Sequence, residues 1–140
     1  DLVITSDVIV GFPGETERDF LQTMELIERL RFDALFTFIY SPRPGAPSAL
    51  VENNTPRGEI QRRFERLVNR QNEISEEKHR EYVGKTVRVL IDGETGDAQY
   101  PLASRTGGNR LVKLKSGTLG QFADVLITGS GRWSLTADNN

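Results

Sequence analysis

The chain has 140 residues, 27% of them charged and 36% hydrophobic, with a formal net charge of −2; that length allows one ordinary domain, or part of one joined to a second small one. It has no cysteine and one histidine, which excludes disulfides, thiolate metal sites and a zinc site built on histidine. No apolar run approaches the ~20 residues of a spanning helix and no basic-then-apolar leader opens the chain, so a cytoplasmic protein without a membrane partner is expected.

The charge is uneven. Residues 1–54 carry four basic and nine acidic side chains, whereas residues 82–140 carry seven basic and five acidic. The acidic front does not suit a polyanion, and the tail tolerates one.

In chain order, Leu2 to Val10 is rich in branched aliphatics and reads as a strand buried on both faces. Gly11, Pro13 and Gly14 stop it. Thr16 with Asp19 three residues on is close to a capping box, and the helix it opens is expected to reach about Leu30, with Phe20, Met24, Ile27 and Leu30 as its apolar face. Leu35 to Tyr40 reads as a second strand with two-sided burial. Strand, helix and strand with short joints make a βαβ unit. Its ends are where α/β folds bind ligands, yet the Gly11–Thr16 corner lacks the spacing of a dinucleotide or Walker loop. A structural turn and a ligand site both remain open there.

Ser41 to Asn54, with its three prolines, is a loop. Thr55 and Pro56 start a second helix that continues to about Tyr82, with Ile60, Phe64, Leu67, Gln71 and Ile74 as its stripe. Arg62, Arg63, Arg66 and Arg70 give it a basic face, read either as a solvated surface with scattered ion pairs or as a phosphate-facing ridge. After Gly84 the period becomes two: Val87 to Ile91, Leu111 to Lys115 and Phe122 to Thr128 are short strands separated by glycine turns, with one turn at Gly93–Gly96. They predict a small antiparallel barrel, with Phe122 in its core and a frayed end at Asp138–Asn140.

The run Asp7-Val8-Ile9-Val10-Gly11-Phe12-Pro13-Gly14-Glu15-Thr16 and the later Phe38-Ile39-Tyr40-Ser41-Pro42-Arg43-Pro44-Gly45 resemble the late-barrel signatures of radical S-adenosylmethionine methylthiotransferases. Ala46 stands where that family usually has Thr. The tail, from Val83-Gly84-Lys85 through Arg105-Thr106, Asn109-Arg110 and Gly120-Gln121-Phe122 to Val125-Leu126-Ile127-Thr128, resembles the TRAM domain, a small OB-like RNA-binding barrel. The Arg105-Thr106 and Asn109-Arg110 pattern is most similar to the MiaB-type tRNA enzymes, which methylthiolate an isopentenylated adenosine beside the anticodon.

The resemblance implies an α/β plus all-β fold with three parts. Residues 1–54 would be the incomplete end of a radical SAM (β/α) barrel, 55–81 a long connecting helix, and 82–140 the TRAM barrel. It implies S-adenosylmethionine and two iron–sulfur clusters in a longer enzyme whose cluster cysteines lie upstream of Asp1. Asp7, Ile9, Gly11, Glu15, Tyr40 and Ser41 would then line the cofactor, with Glu15 equally suited to stabilising the helix start. Arg88, Arg105, Arg110, Lys113, Lys115 and Arg132 would contact the anticodon arm of tRNA, with Phe122 or Trp133 stacking. No residue of this chain is assigned to catalysis, and the chain alone is expected to be inactive. Two other readings are a non-catalytic RNA-binding module and a relative that methylthiolates a ribosomal protein. The missing N-terminal part of the same enzyme, or self-association, would cover the open edges of residues 1–54.

Overall fold

A computed structural model describes residues 2–138. They divide into two units, residues 4–74 and residues 75–138 with 2–3. In the first, β1 (Thr5–Val10), α1 (Glu17–Leu30) and β2 (Ala34–Ile39) form the expected βαβ arrangement. The strands pair in parallel from Thr5 opposite Ala34 to Val10 opposite Ile39. Asp33 aligns the pair at its start. Its buried carboxylate accepts the Ile4 N–H at 2.8 Å, while its own N–H donates to the Ile4 carbonyl.

The capping box is present: Thr16 Oγ1 accepts from the Asp19 N–H, and the Thr16 N–H donates to Asp19 Oδ2 at 2.9 Å. Those Thr16 bonds hold the Asp19 carboxyl below its ordinary pKa. The cap therefore contributes fully above the ordinary carboxylate range and is lost as pH falls through the lowered value.

Residues of α1 and of α2 (Arg57–Arg80) bury Phe20, Ile27, Leu67 and Ile74 with Val10 and Phe32, each worth about 1.5–3 kcal/mol. Gln71 belongs to this stripe because its Nε2 donates to the Phe32 carbonyl at 2.8 Å. Leu30, read as core, is exposed.

The two-sided burial expected of the strands is corrected. Val8 and Val10 face the helices, but Ile9, Phe36 and Phe38 are each at least half exposed. The face formed by Asp7, Ile9, Phe36 and Phe38 is exposed. The strand also starts at Thr5, not Leu2.

In the second unit five strands close into a barrel of order β3–β4–β5–β7–β6: β3 (Thr86–Glu94), β4 (Leu102–Thr106), β5 (Leu111–Leu114), β6 (Phe122–Ser130) and β7 (Leu135–Asp138). Its core is Val89, Ile91, Val112, Leu114, Val125, Ile127, Leu135 and Ala137, with Tyr82 at one end.

Four points differ from the reading of the sequence. β4 and β7 were not foreseen. β3 continues through the expected Gly93 turn, with a register shift between Ile91 and Gly93 that bends it round the barrel. The barrel is mixed, since β5 and β7 pair in parallel. Asp138 ends a paired strand, while the rest of the expected frayed end, Asn139 and Asn140, lies outside the described residues.

One test of the first unit runs against pattern logic. Gln71→Leu would complete the apolar stripe of α2, yet it should lower stability by about 1–2 kcal/mol because the Phe32 carbonyl loses its donor. Urea unfolding of the 140-residue chain measures this; a stabilised variant would show that the bond contributes nothing.

Candidate functional site

At the carboxyl ends of β1 and β2 the predicted cofactor residues fall into two groups. Asp7, Ile9 and Ser41 are exposed, the first two on the open sheet face. Gly11, Glu15 and Tyr40 are taken up by the protein itself. The Gly11 N–H donates to Glu15 Oε2 at 3.1 Å, and its carbonyl accepts from Asn53 Nδ2 at 2.9 Å.

The other Glu15 oxygen accepts from Arg63 Nη1 at 3.1 Å, as does the Glu15 carbonyl. Arg63, expected on an exposed face, is instead buried among Glu15, Glu17 and Glu59 with its guanidinium over the Phe20 ring. Arg62, Arg66 and Arg70 are likewise paired, with Glu59, with Glu17, and with Glu28 and Glu73. The phosphate-ridge reading of this helix face loses its support, because every one of these arginines faces a carboxylate.

Gly11 has a left-handed φ of 76°, and a Cβ there would stand 2.5 Å from Ile60 Cγ2. The close approach that glycine permits is by the protein's own helix. Gly14, with φ 87°, has open space around it. Tyr40 meets the Phe12 ring edge-on at 5.0 Å, and its hydroxyl is enclosed without a hydrogen bond to any described residue. It also lines a cavity of about 680 Å³ with Ile39, Pro42, Asn53, Arg57 and Ile60. None of the other predicted cofactor residues lines that cavity.

The six basic residues predicted for RNA also separate. Lys113 and Lys115 share the outer face of the β5 segment, as period two requires, but Lys113 Nζ lies 3.2 Å from Asp97 Oδ2 and Lys115 Nζ 2.7 Å from Asp138 Oδ1. The Gln99 and Tyr100 amides, with Lys113, hold the Asp97 carboxyl below its usual range, and the Asp138 contact raises Lys115 above the ordinary lysine value.

Arg105 stands 3.6 Å from Asp92. Arg110 is buried with its guanidinium 4.8 Å from the Tyr82 ring centre, which takes it out of the solvent-facing set. Arg132 is exposed beside Trp133, itself 71% exposed, in the turn closed by the Gly131 N–H to Ser134 carbonyl bond.

Arg88 lies with its guanidinium 5.2 Å from the centre of the Phe122 ring. Phe122, expected in the core, is 63% exposed. The signal was available: Ala123, Val125 and Ile127 point inward, so Phe122 shares its face with Asp124 and Thr128. The carboxylates that hold the lysines left no such sign, since Asp97 lies in the connection between β3 and β4 and Asp138 at the end of β7, and only the folded barrel brings them to β5.

Comparison with known proteins adds a second line of observation. Residues 80–139 match the TRAM domain model. Over 140 aligned residues and 99% of its length, the chain is 44% identical to the tRNA-2-methylthio-N(6)-dimethylallyladenosine synthase of Thermoanaerobacter sp. (strain X514), covering 30% of that protein. It is 40% identical over 96% of its length to the enzyme of that name from Acetivibrio thermocellus, covering 28% of it, and 44% identical over 96% to that from Corynebacterium jeikeium, covering 27%. The chain thus spans less than a third of the length of these curated relatives.

The loop geometry gives a quantitative expectation. Gly11→Ala should lower stability by about 3 kcal/mol, through left-handed strain plus the clash with Ile60. Gly14→Ala should cost about 1 kcal/mol, from strain alone. Equal losses in denaturant melts would show that Ile60 yields and does not constrain Gly11.

Proposed function

We propose that the chain is the C-terminal part of a tRNA methylthiotransferase, because residues 80–139 match the TRAM domain model and nearly the whole chain is similar to enzymes of that kind. In this reading residues 1–54 are the end of a radical SAM barrel, 55–81 connect, and 82–140 bind tRNA. The enzyme adds a methylthio group to a modified adenosine beside the anticodon, in the cytoplasm. The observation that carries this is sequence identity of 40–44% running through both units, not the TRAM segment alone.

The open sheet face supports the barrel reading. A two-stranded sheet with Ile9, Phe36 and Phe38 exposed on one side and helices on the other is what the last strands of a larger parallel barrel present when taken alone. The partner is then the N-terminal part of the same enzyme, with self-association as the alternative cover.

The iron–sulfur clusters do not fit this chain. It has no cysteine, and no group of His, Asp or Glu among the described residues could hold a metal ion. S-adenosylmethionine fits in part: when bound it supplies the methyl group and the radical chemistry, and Asp7, Ile9 and Ser41 are free to meet it. Gly11 and Glu15 shape the loop beneath, the role their bonds to Asn53 and Arg63 give them. Tyr40 instead packs on Phe12 and lines the cavity that the other five residues do not reach.

For tRNA, Arg88 and Arg132 are the most available of the six basic residues, since Lys113, Lys115 and Arg105 already meet carboxylates. Replacing Lys113 and Lys115 together by glutamine should therefore change the slope of log affinity against log salt by less than about 1. A change near 2, read by titrating an anticodon stem-loop at several salt concentrations, would make those lysines phosphate contacts after all.

The activity itself is tested by a chimera. The corresponding C-terminal segment of the Thermoanaerobacter enzyme is replaced by this chain and expressed in cells lacking the endogenous enzyme. Mass spectrometry of digested tRNA should then show the methylthio nucleoside, and the chain alone should give none. A folded, cluster-loaded chimera without product would reject the reading, and a methylthiolated ribosomal protein in its place would establish the protein-modifying alternative.

A further inference from the structure

The six cation–π contacts of the described residues differ in one respect. Phe20 and Tyr82 are buried rings and Tyr100 a half-buried one, so the cations beside them serve packing. Phe122 alone among these rings is mostly in water.

Its position follows from the β3–β6 register. Leu90 stands opposite Phe122, Arg88 opposite Asp124 and Thr86 opposite Leu126. Arg88 therefore reaches the ring as a diagonal cross-strand neighbour. Among the described residues no carboxylate lies within ion-pair distance of Arg88, although Asp124 is its ladder partner. Half-buried Leu90 lies beside the pair and exposed Leu126 beyond Asp124 on the same face, so a planar cation lies over an exposed aromatic ring.

We propose that Arg88 and Phe122, on the outer face of β3 and β6, form a stacking platform for an unpaired RNA base. The inference rests on the tRNA-binding reading above and names the part of the barrel that reads RNA and the form of RNA it takes. A flat guanidinium backed by a ring presents a surface that any base can stack on, which duplex RNA cannot offer because its bases are already stacked. Asp124 beside the platform disfavours a phosphate track there, so the contact is to bases. The Lys113–Lys115 face, neutralised by Asp97 and Asp138, is not the reading surface.

The test is fluorescence anisotropy of the 140-residue chain with a labelled eight-nucleotide RNA, free and paired to its complement. The free strand should bind more tightly than the duplex. Phe122→Ala should weaken binding to the free strand about tenfold with the salt slope unchanged, and Phe122→Tyr should preserve it. Arg88→Gln, at an exposed position that serves as the second variant, should weaken binding with the slope changed by less than about 1, since the guanidinium meets a base and not a phosphate. If RNA binds but both Phe122→Ala and Arg88→Gln leave its affinity unchanged, the platform is wrong while the RNA reading stands. Equal affinity for strand and duplex also overturns the platform. If the unaltered chain binds no RNA, the RNA reading itself falls and takes the platform with it.

Discussion

The buried guanidinium of Arg63 organises the first unit. It gathers Glu15 from the loop after β1, Glu17 from the first turn of α1 and Glu59 from its own helix, and it donates to the Glu15 backbone as well. Burying one arginine among several carboxylates is tolerable only because its donors are matched, and removing one partner of such an arrangement typically costs about 3–5 kcal/mol. The same contacts draw α2 towards the loop until Ile60 sits where a side chain on residue 11 would be. Gly11, Glu15 and Asn53 are thus fixed by one requirement: the ends of β1, α1 and α2 must meet around a single cation.

This explains why, of the two readings of the arginine face of α2, the one with scattered ion pairs holds for Arg62, Arg66 and Arg70 while Arg63 is buried. A count of arginines along α2 shows their sign and spacing, but not the partners that Arg63, Arg66 and Arg70 find on α1 and its preceding loop, 42 to 49 residues away. The same limit applies to the β5 face of the barrel, where each lysine had an invisible carboxylate opposite. Local signals fared better. The capping box at Thr16 and Asp19, the long second helix and the β3, β5 and β6 strands were all legible, because each depends on neighbours within a few residues or on a simple period.

Where periodicity was left unfollowed, the reading failed for an identifiable reason. Hydrophobicity alone put Phe122 in the core, although its parity with Asp124 put it outside. Leu102–Thr106, with a serine and an arginine among five residues, lacked an apolar run, and its buried Ser104 is accommodated only by donating to the Val112 carbonyl. Of the candidate site, the motif at the strand ends could be located from sequence. Which of its residues serve the loop and which face outward depended on Arg63 and Asn53, both far along the chain.

The parallel pairing of β5 with β7 has a consequence for how the barrel is made. β7 is the latest of the five strands in the chain, yet it sits between β5 and β6 and is bonded to both. Until it arrives, β5 and β6 each keep one unpaired edge, however complete the earlier hairpins are. Because synthesis runs from the amino end, closure must wait for residues 135–138 to clear the ribosome, and the half-built sheet is the form a nascent chain presents to its surroundings.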